Sequence, residues 1–148
     1  MRGIWTLGLA ALAATMAPGI AHAQLGDEVV DVSAADAAMN AAKAKGRSTL
    51  PEFFAHVQSP GPGESGFLIK YDLLPEPNAA EFIWAEIISR TPGVTVARLV
   101  NRPRDPRFRL GEQVTVHDID IIDWGYFKNG VMQGNFTTLA LLPNLPPE

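Results

Sequence analysis

The stretch from Leu110 to Thr137 limits most strongly what this chain can fold into. Polar and apolar residues alternate from Glu112 to His117, and this period of two residues is typical of a half-buried strand. Asn129-Gly130 is the usual signal of a two-residue hairpin turn. Gly134 predicts a bulge or a close backbone approach in the segment that follows. The stretch therefore predicts a β module, and it contains no recognisable active-site motif.

The alternation breaks at the pair Ile121-Ile122. Successive residues of a regular strand point to opposite faces, so two adjacent apolar residues predict a turn or a bulge. Asp123 follows directly and is available to accept hydrogen bonds from backbone amides just beyond the irregularity.

Three more strands are predicted before this stretch. They span Phe67 to Asp72, Glu81 to Arg90 and Val94 to Val100, and the turn Thr91-Pro92-Gly93 separates the last two. In the second of these strands Trp84 and Glu86 share a face. If that face is buried, the carboxylate of Glu86 needs a partner, and if it is not buried, Trp84 is exposed.

Two helices are predicted ahead of the strands. Ser33 has the character of an N-cap, the alanine-rich run Ala34 to Lys45 favours a helix, and Gly46 is predicted to end it. Thr49 is predicted to cap a second, shorter helix from Pro51 to Val57.

The sequence thus predicts an α+β fold, with two N-terminal helices packed on a curved, mainly antiparallel sheet of about five or six strands. We expect the core to contain Phe53, Phe54, Phe67, Ile69, Trp84, Ile88, Val114, Val116, Ile121 and Trp124.

The N-terminus has the pattern of a signal peptide. Arg2 precedes an apolar run from Ile4 to Met16, and Ala21-His22-Ala23 matches the small-residue cleavage pattern before Gln24. The alternative is an uncleaved anchor, but the run is shorter than the roughly 20 residues of a membrane span. We therefore predict a periplasmic or secreted protein with no membrane span after cleavage. The expected organisation is a signal peptide (1–23), a flexible leader (24–32), one domain (33–142) and a proline-rich tail (143–148).

Composition excludes several classes of function. The chain has no cysteine, so disulfides, thiol catalysis and cysteine metal sites are absent. Its formal net charge of −4 argues against general nucleic-acid binding. We predict no cofactor and no metal site, and the sequence does not indicate an oligomeric state.

A series of landmarks along the chain resembles the YegJ-like family of small bacterial proteins, catalogued as domain of unknown function 2314. The landmarks are Met39, Ala42, Ser48-Thr49-Leu50, Phe53 or Phe54, Phe67, Lys70, Glu81, Trp84, Asn101, Pro103, Leu110-Gly111-Glu112, Val114, Asp123-Trp124, Asn129-Gly130, Gly134 and Thr137. The resemblance implies a fold of this type and a protein of unknown role, because the family has no established activity to carry over. The arginine-rich content between Asn101 and Leu110 is not matched to the family pattern.

That arginine-rich segment is the first candidate site. Arg98, Arg102, Arg104, Arg107 and Arg109 fall within twelve residues of an otherwise acidic protein. Guanidinium groups bind carboxylate and phosphate groups through two hydrogen bonds, so a proline-stiffened loop of arginines could hold an anionic protein or a ligand of the cell envelope. The alternative is a solvated loop whose arginines pair with nearby acids.

Two further groups have residue types that suit a site. His117, Asp118, Asp120 and Asp123 are potential metal ligands, but on a strand His117 and Asp118 point to opposite faces, and aspartates also stabilise turns. Trp84 and Trp124 could bind sugars as an aromatic platform, although large aromatic residues commonly belong to the core.

We interpret the chain as a binding or interaction module for an anionic partner, and we favour a non-catalytic role over a catalytic one. The candidate binding residues are Arg102, Arg104, Arg107, Arg109, Trp84 and Trp124. The alternatives are a small envelope hydrolase that uses the Asp/His group, and an inhibitor or immunity-type protein with one partner.

Overall fold

The computed structural model describes residues 32–74, 76 and 79–142. The predicted signal peptide, all but the last residue of the predicted leader, and the proline-rich tail lie outside the described residues. The helices are α1 (Val32–Ser48), α2 (Leu50–Gln58) and α3 (Phe136–Leu141). The strands are β1 (Glu64–Asp72), β2 (Phe82–Thr91), β3 (Val94–Leu99), β4 (Gln113–His117), β5 (Ile121–Lys128) and β6 (Val131–Gly134), with a 3-10 turn at Asp118–Asp120.

The six strands form one curled antiparallel sheet in the order β4-β3-β2-β1-β5-β6. With the two N-terminal helices this is the predicted α+β architecture, and the prediction of two helices on a curved sheet is confirmed. None of the helices in the described part of the chain is both long and apolar enough to cross a membrane.

Helix α2 covers one face of the sheet, which we call the core face. Phe53 on α2 is fully buried there, and its ring lies 5.0 Å from the ring of Trp124 on β5. Trp124 pairs in register with Ile69 on β1, and Ile69 pairs with Ala85 on β2, so these side chains share the face that α2 covers. The remaining core residues include Leu50, Tyr71, Leu73, Ile83, Ala97, Leu99, Val116, Ile121 and Tyr126.

The prediction that Trp84 and Ile88 belong to the core is wrong. Trp84 pairs with Lys70 on the opposite face, which we call the outer face, and Ile88 is 46% exposed. Both faces of β2 carry large apolar residues, so its alternation alone is compatible with either orientation. Register with β1 places Ile83 and Ala85 on the core face, and this decides the orientation.

The prediction that Gly46 ends α1 is wrong. The helix continues to Ser48, and it begins at Val32, one residue before the predicted cap Ser33. A Cβ atom at Gly46 would lie 2.5 Å from the carbonyl oxygen of Ile122, so glycine allows α1 to approach the backbone of β5. Strand β6 pairs only with residues 125–128 of β5. Helix α1 lies against the part of β5 before them, at Ile122 and Asp123.

Thr49 also has a different role from the one predicted. Its hydroxyl group makes no N-cap hydrogen bond to α2, and it donates instead to the carbonyl oxygen of Lys45 at 2.7 Å. The hydroxyl oxygen of Thr49 in turn accepts the indole N–H of Trp124 at 2.9 Å. The residue thus joins α1 to the core and does not cap the second helix.

The irregularity at Ile121-Ile122 is confirmed as a register shift between β1 and β5, because Lys70 pairs with Asp123 and Tyr71 pairs with Ile121. The hairpin turn is also confirmed. Asn129 and Gly130 have φ angles of 51° and 78°, as a two-residue turn of this kind requires.

Helix α3 was not predicted. Its sequence, FTTLAL, contains two β-branched threonines, and the side chain of its N-cap residue Asn135 makes no capping hydrogen bond. The helix forms where the amides of Phe136 and Thr137 donate to the buried carboxylate of Asp123, at 3.2 Å and 2.7 Å. A distant residue therefore satisfies amides that every helix leaves unpaired at its start.

Candidate functional site

The candidate site is the arginine loop, Asn101–Arg109, which connects β3 to β4. Its first residue lies beside the start of β2, where the side-chain oxygen of Asn101 accepts the amide of Trp84 at 3.2 Å. The amide of Val100 donates to the carbonyl oxygen of Trp84 at 3.1 Å. The loop therefore begins next to the outer face of the sheet, on which Trp84 lies.

A buried carboxylate holds the middle of the loop. Glu81 is only 6% exposed, and its two oxygens accept the amides of Arg104 at 2.6 Å and Asp105 at 3.2 Å. The guanidinium group of Arg104 points away, with 80% of its side chain exposed and its Nε atom 3.9 Å from Glu81. The backbone of Arg104 is thus fixed, and its charge faces solvent.

Arg107 is used within the loop. Its guanidinium group donates to Asp105 at 2.8 Å and reaches Glu76 at 3.4 Å, while its amide donates to Asp105 at 2.8 Å. These hydrogen bonds from Arg107 hold the pKa of the Asp105 carboxyl below its usual value. Arg107 therefore stabilises the loop, and its charge is already paired.

Arg102 and Arg109 are exposed, and neither forms an ion pair among the residues that the structure describes. The amide of Arg109 is fixed by the carboxylate of Glu112 at 2.8 Å. Together with Arg104, they present three guanidinium groups on a loop whose backbone is bonded to carboxylates. Sequence reasoning missed the anchoring role of Glu81 and Glu112, although acids on both sides of an arginine-rich segment are a signal that could have suggested it.

The two tryptophans lie in different parts of the molecule. Trp84 is half-buried on the outer face, with the Nζ atom of Lys70 5.3 Å from its ring centre. Trp124 is buried in the core, and its indole N–H donates to the carbonyl oxygen of Gly46 at 3.1 Å as well as to Thr49. Trp84 therefore adjoins the arginine loop, whereas Trp124 is not on that surface.

The side chains of His117, Asp118, Asp120 and Asp123 do not come together at one site. Asp118 accepts two hydrogen bonds from Arg90, at 2.6 Å and 2.7 Å, and Asp123 is fully buried against α3. His117 and Asp120 are exposed. In the described ranges, no three histidine, aspartate or glutamate side chains are placed so that they could hold a metal ion. The geometry gives the hydrolase alternative no support.

His56 is bonded to residues near it in the fold. Its Nδ1 atom lies 2.9 Å from Glu64, and its ring stacks on Tyr126 at 5.1 Å. Glu64 also accepts the amide of Gly61 at 2.9 Å and lies 3.5 Å from Lys128. The Gly61 hydrogen bond, with His56 and Lys128, holds the pKa of Glu64 below its ordinary value of 4.5.

Glu64→Gln should weaken the pH dependence of stability in acid. A carboxyl group whose pKa is lower in the folded state contributes stability above its unfolded pKa, and this contribution is lost as the pH falls through the folded pKa. Urea denaturation should therefore show wild-type stability falling from about pH 4.5 downward, and the variant should show a shallower fall. The exposed Glu52→Gln is the matched control, and a variant profile as steep as the wild type would contradict the assignment.

A family model described as an uncharacterised protein conserved in bacteria (DUF2314) matches residues 36–148. No curated protein and no solved structure matches the chain. The match confirms the resemblance inferred from the landmarks in the sequence.

Proposed function

We propose that this chain, which belongs to the DUF2314 family of bacterial proteins, is a non-catalytic binding module whose arginine loop holds an anionic partner. The observation that carries the proposal is the contrast between the backbone of the loop and its charges. Carboxylates fix the amides of Arg104 and Arg109, while the guanidinium groups of Arg102, Arg104 and Arg109 remain exposed.

A fixed backbone favours binding because less conformational entropy is lost when a partner is held. Charge pairs at an exposed surface contribute little individually, and several pairs on one ordered loop contribute more. The backbone amide of Trp84 donates to Asn101, the first residue of the loop, and the half-buried Trp84 ring lies 5.3 Å from the Nζ atom of Lys70 on the outer face. Arg107 is part of the support, since its guanidinium group is paired with Asp105 and Glu76.

The proposed partner is an acidic segment of another protein. The loop itself illustrates the chemistry, because Arg107 binds the carboxylate of Asp105 through both Nε and Nη2. We place this interaction in the periplasm or outside the cell, as the predicted signal peptide implies.

The test uses a hexaglutamate peptide as the probe and hexaglutamine as its uncharged counterpart. The wild type should bind hexaglutamate, and the affinity should fall as the salt concentration rises. Replacing Arg102, Arg104 and Arg109 together by glutamine should weaken binding about 3- to 140-fold, since each exposed pair contributes about 0.2–1 kcal/mol. Calorimetric titration measures the affinity of the wild type at each salt concentration and the affinity of the triple variant.

The matched control removes three positive charges elsewhere, by Lys45→Gln, Arg47→Gln and Lys128→Gln. It should retain most of the wild-type affinity, because those residues lie outside the loop. Equal losses in both triple variants would indicate attraction by net charge alone. Equal affinity of the loop variant and the wild type would overturn the proposal, and so would binding to vesicles of anionic lipid without binding to hexaglutamate.

A further inference from the structure

A cavity of about 710 Å³ borders the arginine loop, since Phe108 and Glu112 form part of its wall. The other walls are formed by α1, the end of β1, the start of β2, β4, the 3-10 turn and the start of β5, and they include Lys43, Arg47, Tyr71, Phe82, Val116 and Ile122. The volume falls within the range typical of small-molecule sites. Nothing in the proposed function uses this cavity.

Tyr71, one of the residues that line the cavity, has an unpaired polar atom among the described residues. The Tyr71 side chain is 7% exposed, and its hydroxyl oxygen is buried with no hydrogen-bond partner among the described residues. Burial, with the nearby charge of Glu112, raises the pKa of Tyr71 to about 12, so the hydroxyl group is protonated at neutral pH and can donate. Buried polar groups are nearly always paired, and an exception calls for an explanation.

One wall of the cavity carries two cations, Lys43 and Arg47. Lys43 and Arg47 are four residues apart on α1 and so lie on the same side of the helix. Neither forms an ion pair among the residues described, and the Nζ atom of Lys43 lies 4.1 Å from the ring centre of Phe82.

Three acids, Asp72, Glu112 and Asp120, also line the cavity. Asp72 accepts the amides of Leu74 and Glu81, and Glu112 accepts the amide of Arg109. Asp120, the third acid, is exposed at the rim. Two of the three carboxylates are thus bonded to backbone, while both cations remain available to a ligand.

We propose that this cavity binds a small apolar carboxylic acid. Its carboxylate group contacts Arg47 and Lys43, and its apolar body lies against Phe82, Val116 and Ile122. The Tyr71 hydroxyl group donates a hydrogen bond to a second oxygen of the ligand. Arg102, Arg104 and Arg109 do not line the cavity, so the ligand would be held by residues other than those of the proposed anionic site.

Three naphthalene probes separate these contributions. 6-Hydroxy-2-naphthoate has both polar groups, 2-naphthol lacks the carboxylate, and 2-naphthoate lacks the hydroxyl group. The wild type should bind the first probe about tenfold more tightly than 2-naphthol and about fivefold more tightly than 2-naphthoate, as calorimetry would measure.

Arg47→Met should weaken binding of both carboxylate probes about fivefold and leave 2-naphthol unaffected. Lys45→Met is the matched control, since it removes the same charge from the same helix but does not line the cavity. Tyr71→Phe should abolish the preference for 6-hydroxy-2-naphthoate over 2-naphthoate. Its melting temperature without ligand should equal or exceed that of the wild type, because it removes an unpaired hydroxyl group.

Failure of all three probes to bind more tightly than about 1 mM would overturn the proposal. It would also be overturned if Tyr71→Phe and Arg47→Met left every affinity unchanged. If Tyr71→Phe lowered the melting temperature and changed no probe affinity, the hydroxyl group would be bonded to water only. The triple arginine-loop variant should bind the probes like the wild type, so this test is independent of the proposed function.

Discussion

Replacing Asp123 by alanine is expected to lower the free energy of unfolding by about 3–5 kcal/mol, the usual cost of removing one member of a buried charged network. Asp123 is fully buried, and it accepts the amides of Trp124, Phe136 and Thr137 and the hydroxyl group of Thr137. Alanine would leave these donors without a partner. Helix α3 would then lose the contact that satisfies its first amides.

The same carboxylate also supports Lys70. The Nζ atom of Lys70 donates to the Thr137 hydroxyl group at 3.0 Å, and burial lowers the pKa of Lys70 while the charge of Asp123 opposes that change. Removing Asp123 would therefore leave a half-buried ammonium group without its compensating charge. This second cost places the expected loss well above that of a typical surface substitution.

Urea denaturation followed by circular dichroism would measure the loss. Asp120→Ala is the control, because Asp120 is exposed and should change stability by less than about 0.5 kcal/mol. The loss of stability for Asp123→Asn should lie between those for Asp123→Ala and Asp120→Ala, since asparagine keeps the shape of the side chain and one acceptor oxygen. A loss below about 1 kcal/mol for Asp123→Ala would show that the network contributes little.

Trp124→Ala is expected to cost about 3–5 kcal/mol, as for other large aromatic residues in protein cores. The ring stacks on Phe53 at 5.0 Å and contacts Phe136 edge-on at 5.4 Å. Its indole N–H also joins β5 to α1 through Gly46 and Thr49. The substitution would therefore remove both a packing centre and a link between the sheet and the first helix.

Trp124→Phe separates these two effects. Phenylalanine keeps much of the packing but loses the indole N–H, so we expect a smaller loss of about 1–2 kcal/mol. Trp84→Ala is the comparison on the outer face, where the side chain is half-buried, and it should cost less than Trp124→Ala. Equal losses at the two tryptophans in thermal denaturation would contradict the assignment of Trp124 to the core.

Several features of the fold could be predicted because they depend on neighbours in sequence. The positions of β1, β2 and β3 follow from a period of two residues, and the Asn129-Gly130 turn follows from the backbone preferences of those two residues. The role of Asp123 at an irregularity was predicted in the same way, since Ile121-Ile122 interrupts the alternation. Gly134 was correctly predicted as a close approach, because a Cβ atom there would meet the carbonyl oxygen of Trp124.

Other features depend on contacts between distant segments. Gly46 has the sequence character of a helix end, but its proximity to Ile122 gives it a packing role inside α1. Helix α3 has no signal of its own and depends on Asp123, fourteen residues before Thr137.

Some features of the candidate site could be predicted from the sequence, and others needed the structure. Five arginines near one another in an acidic chain were visible in the sequence, and so was the proline-stiffened loop that holds most of them. The structure separates Arg107, whose guanidinium group is hydrogen-bonded to Asp105 and Glu76, from Arg102, Arg104 and Arg109, whose guanidinium groups make no hydrogen bond to the described residues. The cavity at Tyr71 had no sequence signal, because its walls come from segments far apart in the chain.

The sequence by itself determined the α+β class, the two N-terminal helices and the order of the strands, since periodicity and turn chemistry act between residues a few positions apart. Its landmark residues indicated the family. The tertiary structure alone decided which face of β2 is buried and which arginines are free. An alternating strand has two possible orientations, and an arginine has many possible partners. In each case the choice depends on which residues the fold brings within contact distance.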